Sequence, residues 1–463
     1  MPCTIKEKIT LADVMGMKRS KTLEVLQRDA NVIAKSLYIR FYPMSIEEGE
    51  GVRVKDADGN EYLDFLGGWS VAGTGHRHPK VVEAVKKQID RLFFNSFTSF
   101  SNEIAVKLAE KLVQITPGSF RKKVWYGLTG SDANDCIFKL VPYYKKKARL
   151  ISFINSYHGQ TMGSLSLSGH KSQSAFAGFS NVVKVPYPYC YRCPFKQEYP
   201  SCDIYCIDYI EDYVFKAYCP PEDVAGLIIE PIQSDGGDVV PPEGYMQKLD
   251  KLCKKYDITF CSDEIKVGLG RTGRMFASEH WNLTPDVITL GKPLASGMPL
   301  SACVGRAEIL DSKLGAHLFT LSGHPVSCAA SIATIDVIER EGLVENAEKM
   351  GAVLKKRLEE LKDSYEIVGD IRGKGLILGV EFVKNQKTLE PASVDVAKIC
   401  YRAWELGLIL GYVGMFSNVV EITPPLIIRQ EHIDSACEIF EQAIKDVKAG
   451  KVSDTELEKY KGW

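Results

Sequence analysis

Short apolar runs alternate with amphipathic segments through the middle of the chain. Six runs have the length of strands and are bounded by Gly, Pro, Asp or Ser: Lys123–Leu128, Leu150–Ile154, Val224–Ile229, Ile258–Cys261, Val287–Leu290 and Leu300–Val304. Segments with helical periodicity, such as Met246–Tyr256, lie between them. Because apolar strands interleaved with helices are typical of α/β proteins, the pattern predicts a mostly parallel sheet with helices on both faces.

The two ends of the chain follow a different pattern. Residues 20–66 begin as a helix and continue as two alternating segments around Asp58-Gly59-Asn60, which predicts a hairpin. After Pro325 a long helical stretch leads to strand-like runs at Gly375–Phe382 and Val419–Ile422. We therefore predict a large α/β domain over residues 67–330 and a small α+β domain formed by residues 1–66 and 331–463.

Composition and charge favour a small-molecule partner. The 463 residues are 45% hydrophobic and 25% charged, which is ordinary globular composition. Lys and Arg number 58 against 59 Asp and Glu, so the net charge of −1 gives no electrostatic reason to expect nucleic acid or an anionic membrane as a partner. No apolar stretch is long enough to span a membrane, and the start, MPCTIKEKITL, lacks the features of a signal peptide, so we expect a cytoplasmic protein.

Polar residues follow five of the predicted strands. They are Gly130 and Ser131, Tyr157, Glu230, Asp263 and Lys292. Alone, each has an ordinary explanation, as a helix cap, a core tyrosine or a solvated charge. In a parallel sheet, however, the carboxyl ends of the strands meet at one edge, where ligands bind. A Gly and Ser turn for a phosphate, an aromatic ring, carboxylates and an amine at that edge predict pyridoxal phosphate chemistry, with Lys292 forming the Schiff base and Asp263 holding the ring nitrogen protonated.

The order of the motifs resembles a known family along nearly the whole chain. The motifs run from DADGNEYLDF and GHRHPKVVEAV through TGSDAND, YHGQT, IIEPIQ, SDEIKVGLGRTGR and TLGKPLASGMPLSACVG to FTLSGHPVSCAA, IRGKGLILGVEF and TPPLII. They resemble the class III (subgroup II) pyridoxal-phosphate aminotransferases. The resemblance implies an α/β protein of fold type I that forms a homodimer, with active sites at the subunit interface, and pairing of dimers into tetramers stays open.

The resemblance also implies roles for individual residues around the cofactor. Lys292 in LGKPL matches the lysine that binds the cofactor and shuttles the proton. Asp263 matches the acid that pairs with the pyridine nitrogen. Gly130 and Ser131 match the phosphate turn, and Tyr157 matches the aromatic residue that stacks on the ring.

Three further residues are assigned in the same way. Thr320 matches the hydroxyl that reaches the phosphate of the neighbouring subunit. Glu230 matches the active-site glutamate of the family. Trp69 lies where family members have a pocket-lining residue, and an aromatic residue there resembles the amine transaminases.

Three positions depart from the family. Relatives that act on 4-aminobutyrate or ornithine usually have Arg where this chain has Gln160. Many also have, where this chain has Glu421, an Arg that pairs with the glutamate matching Glu230. Without these carboxylate-binding arginines, both substrates are disfavoured. The third departure, Lys266, lies where relatives have an uncharged residue near the cofactor's phenolic oxygen. A Lys266 side chain that points into the site would stabilise the cofactor's phenolate. The alternative interpretation is a lysine whose side chain faces solvent.

One motif is misleading. The segment Gly268–Gly273 satisfies the dinucleotide-binding pattern G-x-G-x-x-G. However, five residues separate it from the predicted strand, and no convincing amphipathic helix follows it. We therefore interpret it as a structural loop beside Asp263.

Thirteen cysteines are scattered through the chain, which favours reduced thiols over a disulfide framework. Four of them cluster in the segment YPYCYRCPFKQEYPSCDIYC: Cys190, Cys193, Cys202 and Cys206. Such a cluster is compatible with zinc or an iron–sulfur centre. We favour a packed loop without metal, because the second pair is separated by three residues and the inferred catalysis needs no metal.

These expectations combine into a pyridoxal-phosphate-dependent aminotransferase. It would move an amino group from an amine or amino acid donor to a 2-oxo acid, and Trp69 favours a broad range of amine or ω-amino acid donors. The alternative is an amino-acid racemase or epimerase of the same family. It shares every cofactor residue and differs in returning the proton to the same carbon with the help of a second base.

Overall fold

The chain forms two compact units in the computed structural model, which describes residues 19–173, 176, 178–457 and 460. One unit is Pro79–Glu345, and the other combines residues up to 78 with residues from 346 onward. The sequence analysis placed the boundaries at 66/67 and 330/331. The later position of the second boundary follows from the helix Pro325–Arg340, which packs against the helices Pro79–Arg91 and Glu103–Ile115 within the larger unit.

A seven-stranded sheet forms the centre of the larger unit. In spatial order its strands are Lys122–Gly127, Ser301–Arg306, Val287–Leu290, Thr259–Asp263, Val224–Ile229, Arg149–Phe153 and Val182–Val185. Four strand pairs are parallel, and the two pairs formed by Ser301–Arg306 are antiparallel. The prediction of a mostly parallel sheet is therefore confirmed. The edge strand Val182–Val185 was missed, because its short run is followed at once by a proline-rich and tyrosine-rich segment.

Helices cover this sheet. Those of the larger unit are Pro79–Arg91, Glu103–Ile115, Gly130–Lys145, Met162–Leu167, Tyr205–Tyr209, Phe215–Ala217, Tyr245–Lys255, Ala307–Leu310 and Pro325–Arg340, with a π-helical turn at Ile210–Val214 and 3-10 turns at Lys171–Gln173, Cys190–Arg192, Pro221–Asp223, Ala277–Trp281 and Lys292–Ala295. The helix Gly130–Lys145 packs its apolar side chains, among them Ile137 and Leu140, against Ile228 and Cys261 of the sheet. Because the central strands are buried on both faces, their sequences are continuously apolar.

The smaller unit contains two sheets. The first is Ile46–Glu50, Arg53–Asp56, Glu61–Asp64 and Leu408–Ile409, and the second is Val368–Lys374, Ile377–Asn385, Val419–Ile422 and Gly411–Val413, with Glu390–Pro391 paired to the long strand. The predicted hairpin is present, because Arg53–Asp56 pairs antiparallel with Glu61–Asp64.

Helices complete this unit. They are Ser20–Val32, the turn Gly67–Ser70, the 3-10 turn Lys35–Leu37, Leu343–Ser364, Ser393–Glu405, Gln430–Lys448 and Asp454–Leu457, and the helix Leu343–Ser364 crosses the boundary between the units. Within the described part of the chain, no helix combines the length and apolar character needed to cross a membrane.

Candidate active site

The loops that follow the carboxyl ends of the parallel strands enclose a cavity in the larger unit. It holds about 570 Å³ of empty space, part of it open to solvent. The predicted residues that line it are Gly130, Ser131, Tyr157, Glu230, Asp263, Lys266 and Lys292. The structure therefore brings together residues that are up to 162 positions apart in the sequence (292 − 130).

Asp263 ends its strand inside a network of hydrogen bonds. Its Oδ2 atom accepts a hydrogen bond of 2.8 Å from the Asn134 side-chain amide and lies 2.7 Å from Nδ1 of His158. Its Oδ1 atom accepts the backbone N–H of Ile265 at 3.0 Å. The carboxylate is thus fixed in orientation by a side chain of the helix Gly130–Lys145 and by one from the loop after the strand Arg149–Phe153. Sequence reasoning gave Asn134 and His158 no role, although both lie within the motifs TGSDAND and YHGQT.

The start of the helix Gly130–Lys145 is capped by Thr129, not by Ser131. The Thr129 hydroxyl accepts the backbone N–H of Asp132, whose carboxylate accepts the N–H of Thr129 in return. Among the described residues, the backbone N–H groups of Gly130 and Ser131 have no acceptor. Because the cap is complete without them, these two donors at a helix N-terminus are left for a ligand in the cavity.

The Ser131 hydroxyl is held in place by a neighbouring loop. It accepts the backbone N–H of Gln160 at 3.1 Å. Gly159 makes this approach possible, since a Cβ atom on it would lie 2.4 Å from the Ser131 Oγ atom. Gly159 also has a φ of +130°, which side chains rarely allow. A glycine is therefore required where the two loops meet.

Lys292 follows the strand Val287–Leu290 after a single glycine. It is half-buried, lines the cavity and has a φ of +36°, in the left-handed region that residues with side chains occupy infrequently. The preceding Gly291 packs closely, since a Cβ atom there would lie 3.2 Å from the Ile265 side chain. The constrained backbone fixes the origin of the lysine side chain at the edge of the sheet.

Glu230 is a buried carboxyl group. Its oxygens accept weak hydrogen bonds of 3.3 Å from the Tyr157 backbone N–H and from the Ser234 hydroxyl. Burial, together with the negative charges of Asp263 and Asp235, raises the pKa of Glu230 well above its ordinary value. This environment favours the protonated form of Glu230.

Lys266 faces the cavity, so its interpretation as a solvent-facing lysine is wrong. Its side chain is 5% exposed, and its Nζ atom lies 3.2 Å from Oδ1 of Asp235. Asp235 was missed by the sequence analysis, although it follows the IIEPIQ motif by two residues. Burial raises the pKa of Asp235, but the positive charges of Lys266, Lys292 and His170 outweigh it, and the net shift is downward. Asp235 is therefore held as a carboxylate.

Two predicted residues are not among those that line this cavity. Trp69 belongs to the smaller unit, where its ring packs 5.7 Å from that of Phe41. Thr320 is an exposed residue of the larger unit. The roles assigned to both residues stay predictions.

The segment Gly268–Gly273 forms consecutive turns after the strand that ends at Asp263, and a 3-10 turn rather than an α-helix follows it. It lacks the strand–turn–helix context of a dinucleotide site. The Glu264 carboxylate holds this loop by accepting the backbone N–H groups of Ala277 and Ser278, at 2.5 and 2.9 Å. The interpretation as a structural loop agrees with this geometry.

The cysteine segment forms a second, smaller cavity. Cys190, Cys193, Cys202 and Cys206 line it together with aromatic side chains, and all four are free thiols. Across the described residues, no group of three or more His, Cys, Asp or Glu side chains is arranged to hold a metal ion.

Comparison with known proteins identifies the family. The model of the family Aminotransferase class-III matches residues 38–444. The chain belongs to the class III aminotransferases. Its relatives include the alanine/serine racemase of Pyrococcus horikoshii, 43% identical with 93% of this chain and 91% of that protein covered, and the leucine/methionine racemase of Thermococcus litoralis, 41% identical with 95% and 99% covered. The crystal structure of a transaminase from the marine bacterium Virgibacillus superposes with a TM-score of 0.84 at 31% identity, covering 93% of this chain and all of that one.

Class III aminotransferases use pyridoxal 5′-phosphate, and the residues of this cavity fit that cofactor. The open N–H groups of Gly130 and Ser131 suit its phosphate, and the Asp263 carboxylate suits a protonated ring nitrogen. The side-chain amine of Lys292, which also lines the cavity, suits its aldehyde. The glycine at 159, where a side chain would collide with Ser131, keeps the phosphate turn clear.

Gln160 and Glu421 are the residues that this chain has where the family pattern has arginine. The exposed Gln160 hydrogen-bonds to the Tyr157 side chain. Glu421 lies on the strand Val419–Ile422 of the smaller unit, opposite Gly379. Within the described residues of the larger unit, no arginine pairs with Glu230.

Proposed function

We propose that this class III enzyme is a pyridoxal-phosphate-dependent racemase or epimerase of α-amino acids. The two racemases that it resembles are 43% and 41% identical to it, against 31% for the transaminase of known structure. The amino acids in the names of these racemases, alanine, serine, leucine and methionine, have uncharged side chains and suggest an uncharged α-amino acid as substrate. The absence of arginine at positions 160 and 421 supports this choice, because neither position offers a cation to a second, distal carboxylate.

The observation that carries the proposal is the presence of Asp235 beside Lys292 in one cavity. A racemase needs two groups that exchange protons with the substrate's Cα, one to remove the proton and one to return it. Both side chains line the cavity, and the positive charge of Lys292 contributes, after that of Lys266, to the lowered pKa of Asp235. Lys292 and Asp235 are therefore our assignment for the two groups.

Each residue has a defined task in this assignment. Bound pyridoxal phosphate withdraws electrons from Cα and so acidifies its hydrogen. Asp263, oriented by His158 and Asn134, would hold the ring nitrogen of the bound cofactor. For one enantiomer, the Asp235 carboxylate removes the proton at Cα and the protonated amine of Lys292 supplies the new one. This step leaves Asp235 protonated and Lys292 neutral, and from that state the two groups exchange tasks for the other enantiomer.

The test is incubation of the holoenzyme with a single enantiomer of alanine or leucine in D₂O without a 2-oxo acid. We expect optical rotation to decay to zero, with deuterium at Cα and no accumulation of 2-oxo acid. Asp235→Asn should slow racemisation by about 100-fold or more, as expected for loss of a general acid–base group. The control Asp223→Asn, at an exposed position outside the cavity, should racemise like the parent enzyme. A parent enzyme that keeps its substrate optically pure would refute the proposal.

Aminotransferase activity is the second candidate. It is favoured by the match to the aminotransferase family and by the transaminase fold at a TM-score of 0.84. In this case the amino acid is converted to its 2-oxo acid, and a second 2-oxo acid such as pyruvate or 2-oxoglutarate accepts the amino group. In the same incubation, 2-oxo acid equal to the amount of enzyme would appear without racemisation. Turnover would then require added 2-oxo acid.

We also propose that the active form is a homodimer. Apolar side chains of the larger unit are exposed in two segments, residues 92–100 and 314–321, among them Phe93, Phe100 and Leu318, which are 62%, 70% and 56% exposed. Patches of this kind mark interaction surfaces. Thr320 lies within the second segment, which agrees with its predicted reach to the phosphate of a neighbouring subunit.

A further inference from the structure

Lys266 and Asp235 form a buried ion pair inside the candidate active site. Their charged atoms are 3.2 Å apart, and their side chains are 5% and 13% exposed. Both line the same cavity as Lys292. A buried pair of this kind is costly to assemble, because both ions lose hydration. An ion pair placed where substrate binds therefore calls for a functional explanation.

The pair links two loops that carry reacting groups. Lys266 lies three residues after Asp263, beyond the strand Thr259–Asp263. Asp235 lies five residues after Glu230, beyond the strand Val224–Ile229. Because these strands are parallel neighbours, the contact between the side chains ties the two loops together at the edge of the sheet. It also fixes where the Asp235 carboxylate points.

The charges around Asp235 come from several elements. Glu230, a buried acid, lies on the same loop as Asp235. Two further titratable groups that interact with Asp235, Tyr157 and His170, belong to the segment after the strand Arg149–Phe153. Lys266 and Lys292 provide the positive charges.

Glu230 and Asp235 lie on the same loop, but their pKa values are shifted in opposite directions. The pKa of Glu230 is raised well above its ordinary value, whereas the pKa of Asp235 is lowered. Both acids are buried, and burial raises both pKa values. Of these two acids, Asp235 contacts the ammonium group of Lys266 at 3.2 Å, whereas the contacts of Glu230 are the Tyr157 backbone N–H and the Ser234 hydroxyl. The contact with Lys266 therefore explains why Asp235 is ionised while Glu230, on the same loop, is protonated.

We infer that Lys266 is a positioning residue that holds Asp235 in the cavity as a carboxylate and so sets the pH range in which Asp235 exchanges a proton with the substrate. This inference rests on the proposed racemase function, in which Asp235 is one of the two proton-transfer groups. From the sequence, Lys266 was expected to act on the cofactor's phenolic oxygen. In this inference the principal partner of its charge is Asp235.

The first test is the pH dependence of α-hydrogen exchange. Lys266→Gln removes the positive charge, so Asp235 should take up a proton at a higher pH. We expect the acid limb of the rate of deuterium exchange at Cα to move upward by about one pH unit or more, the effect of losing an opposite charge at this distance. Lys266→Arg, which keeps the charge, should return the limb towards that of the parent enzyme, and Lys248→Gln, a matched lysine outside the cavity, should leave it in place.

The second test needs no activity. Urea unfolding of the cofactor-free protein is measured for Lys266→Gln, Asp235→Asn and the double variant. If the two side chains are paired, the effects of the single substitutions on the free energy of unfolding are not additive. Lys266→Met replaces Lys266→Gln in both tests if the latter does not fold.

The outcomes separate the two proposals. An enzyme that does not racemise refutes the proposed function, whereas the unfolding cycle still reports on the ion pair. Racemisation with an unmoved acid limb in Lys266→Gln overturns the role inferred for Lys266, as does strict additivity in the cycle. A change in the pH at which the visible absorbance of the holoenzyme titrates, with the acid limb unmoved, would assign the Lys266 charge to the cofactor and likewise overturn the inference.

Discussion

Asp263 shows how a carboxylate in the candidate site is oriented by its neighbours. Its Oδ2 atom is contacted by side chains of Asn134 and His158, and its Oδ1 atom by a backbone N–H. Donors on both oxygens prevent rotation of the carboxyl group. Sequence reasoning found Asp263 because it ends an apolar strand. It did not find the two supporting residues, because hydrogen bonds between segments far apart in the chain leave no local pattern.

For the individual residue Lys292, we predict that Lys292→Ala abolishes covalent attachment of the cofactor. Lys292 is the lysine assigned to the cofactor, and the other lysine of the cavity, Lys266, is paired with Asp235, so no other amine should replace Lys292. After borohydride reduction and proteolysis, mass spectrometry should find the phosphopyridoxyl group on the peptide containing Lys292 in the parent protein and on no peptide in the variant. The control Lys184→Ala, at a lysine bonded to the Ser166 carbonyl, should still be labelled at Lys292. Label on another lysine in the parent protein would contradict the assignment.

A second prediction concerns the buried carboxyl group of Glu264. Burial raises its pKa to about 7. The folded state therefore retains a proton that the unfolded chain releases near pH 4.3, and stability from this group is greatest at low pH and falls as the pH rises to 7. The loss across this window is about 3 kcal/mol.

The measurement is urea unfolding of parent protein and Glu264→Gln between pH 4.5 and 8. Since glutamine does not titrate, the stability of the parent relative to the variant should fall as the pH rises. Glu243→Gln, at an exposed carboxylate, should show no such trend. A difference between parent and Glu264→Gln that is constant with pH would disprove the prediction.

At the scale of elements, the start of the helix Gly130–Lys145 combines stability with binding. Its cap comes from Thr129 and Asp132, which leaves the N–H groups of Gly130 and Ser131 directed to a ligand. The sequence TGSDAND predicted this turn. Only the structure shows that the residue before the glycine makes the cap and that Ser131 is thereby released for the cavity.

We predict that Thr129→Ala lowers the free energy of unfolding by about 1 kcal/mol, the usual cost of losing a helix cap. It should also weaken binding of pyridoxal phosphate, because the first turn is no longer fixed beside the phosphate. Thr129→Ser keeps the hydroxyl and should match the parent protein in both respects. Urea unfolding of the cofactor-free protein and a titration with the cofactor measure the two effects. Equal behaviour of Ala and Ser would show that the hydroxyl does not matter.

At the scale of the whole molecule, the homodimer is the main proposal to test. Sedimentation equilibrium should give twice the 51.5 kDa of one chain. Phe93→Asp places a charge within the exposed apolar segment and should dissociate the dimer with loss of activity. Val394→Asp, a similarly exposed position in the smaller unit, should remain dimeric. A parent protein that sediments with the mass of one chain would exclude the dimer.

The sequence by itself determined the fold class, the family and the residues at the edge of the sheet. It could do so because strands buried on both faces must be apolar, and because polar residues directly after such strands stand out. The positions of Gly130, Ser131, Tyr157, Glu230, Asp263 and Lys292 were all predicted in this way.

Only the tertiary structure decided how these residues interact. It turned Lys266 towards the cavity, paired it with Asp235 and placed His158 and Asn134 around Asp263. The physical reason is that ion pairs and hydrogen bonds between loops depend on distances of a few ångströms in space. The spacing of residues along the chain does not encode such distances.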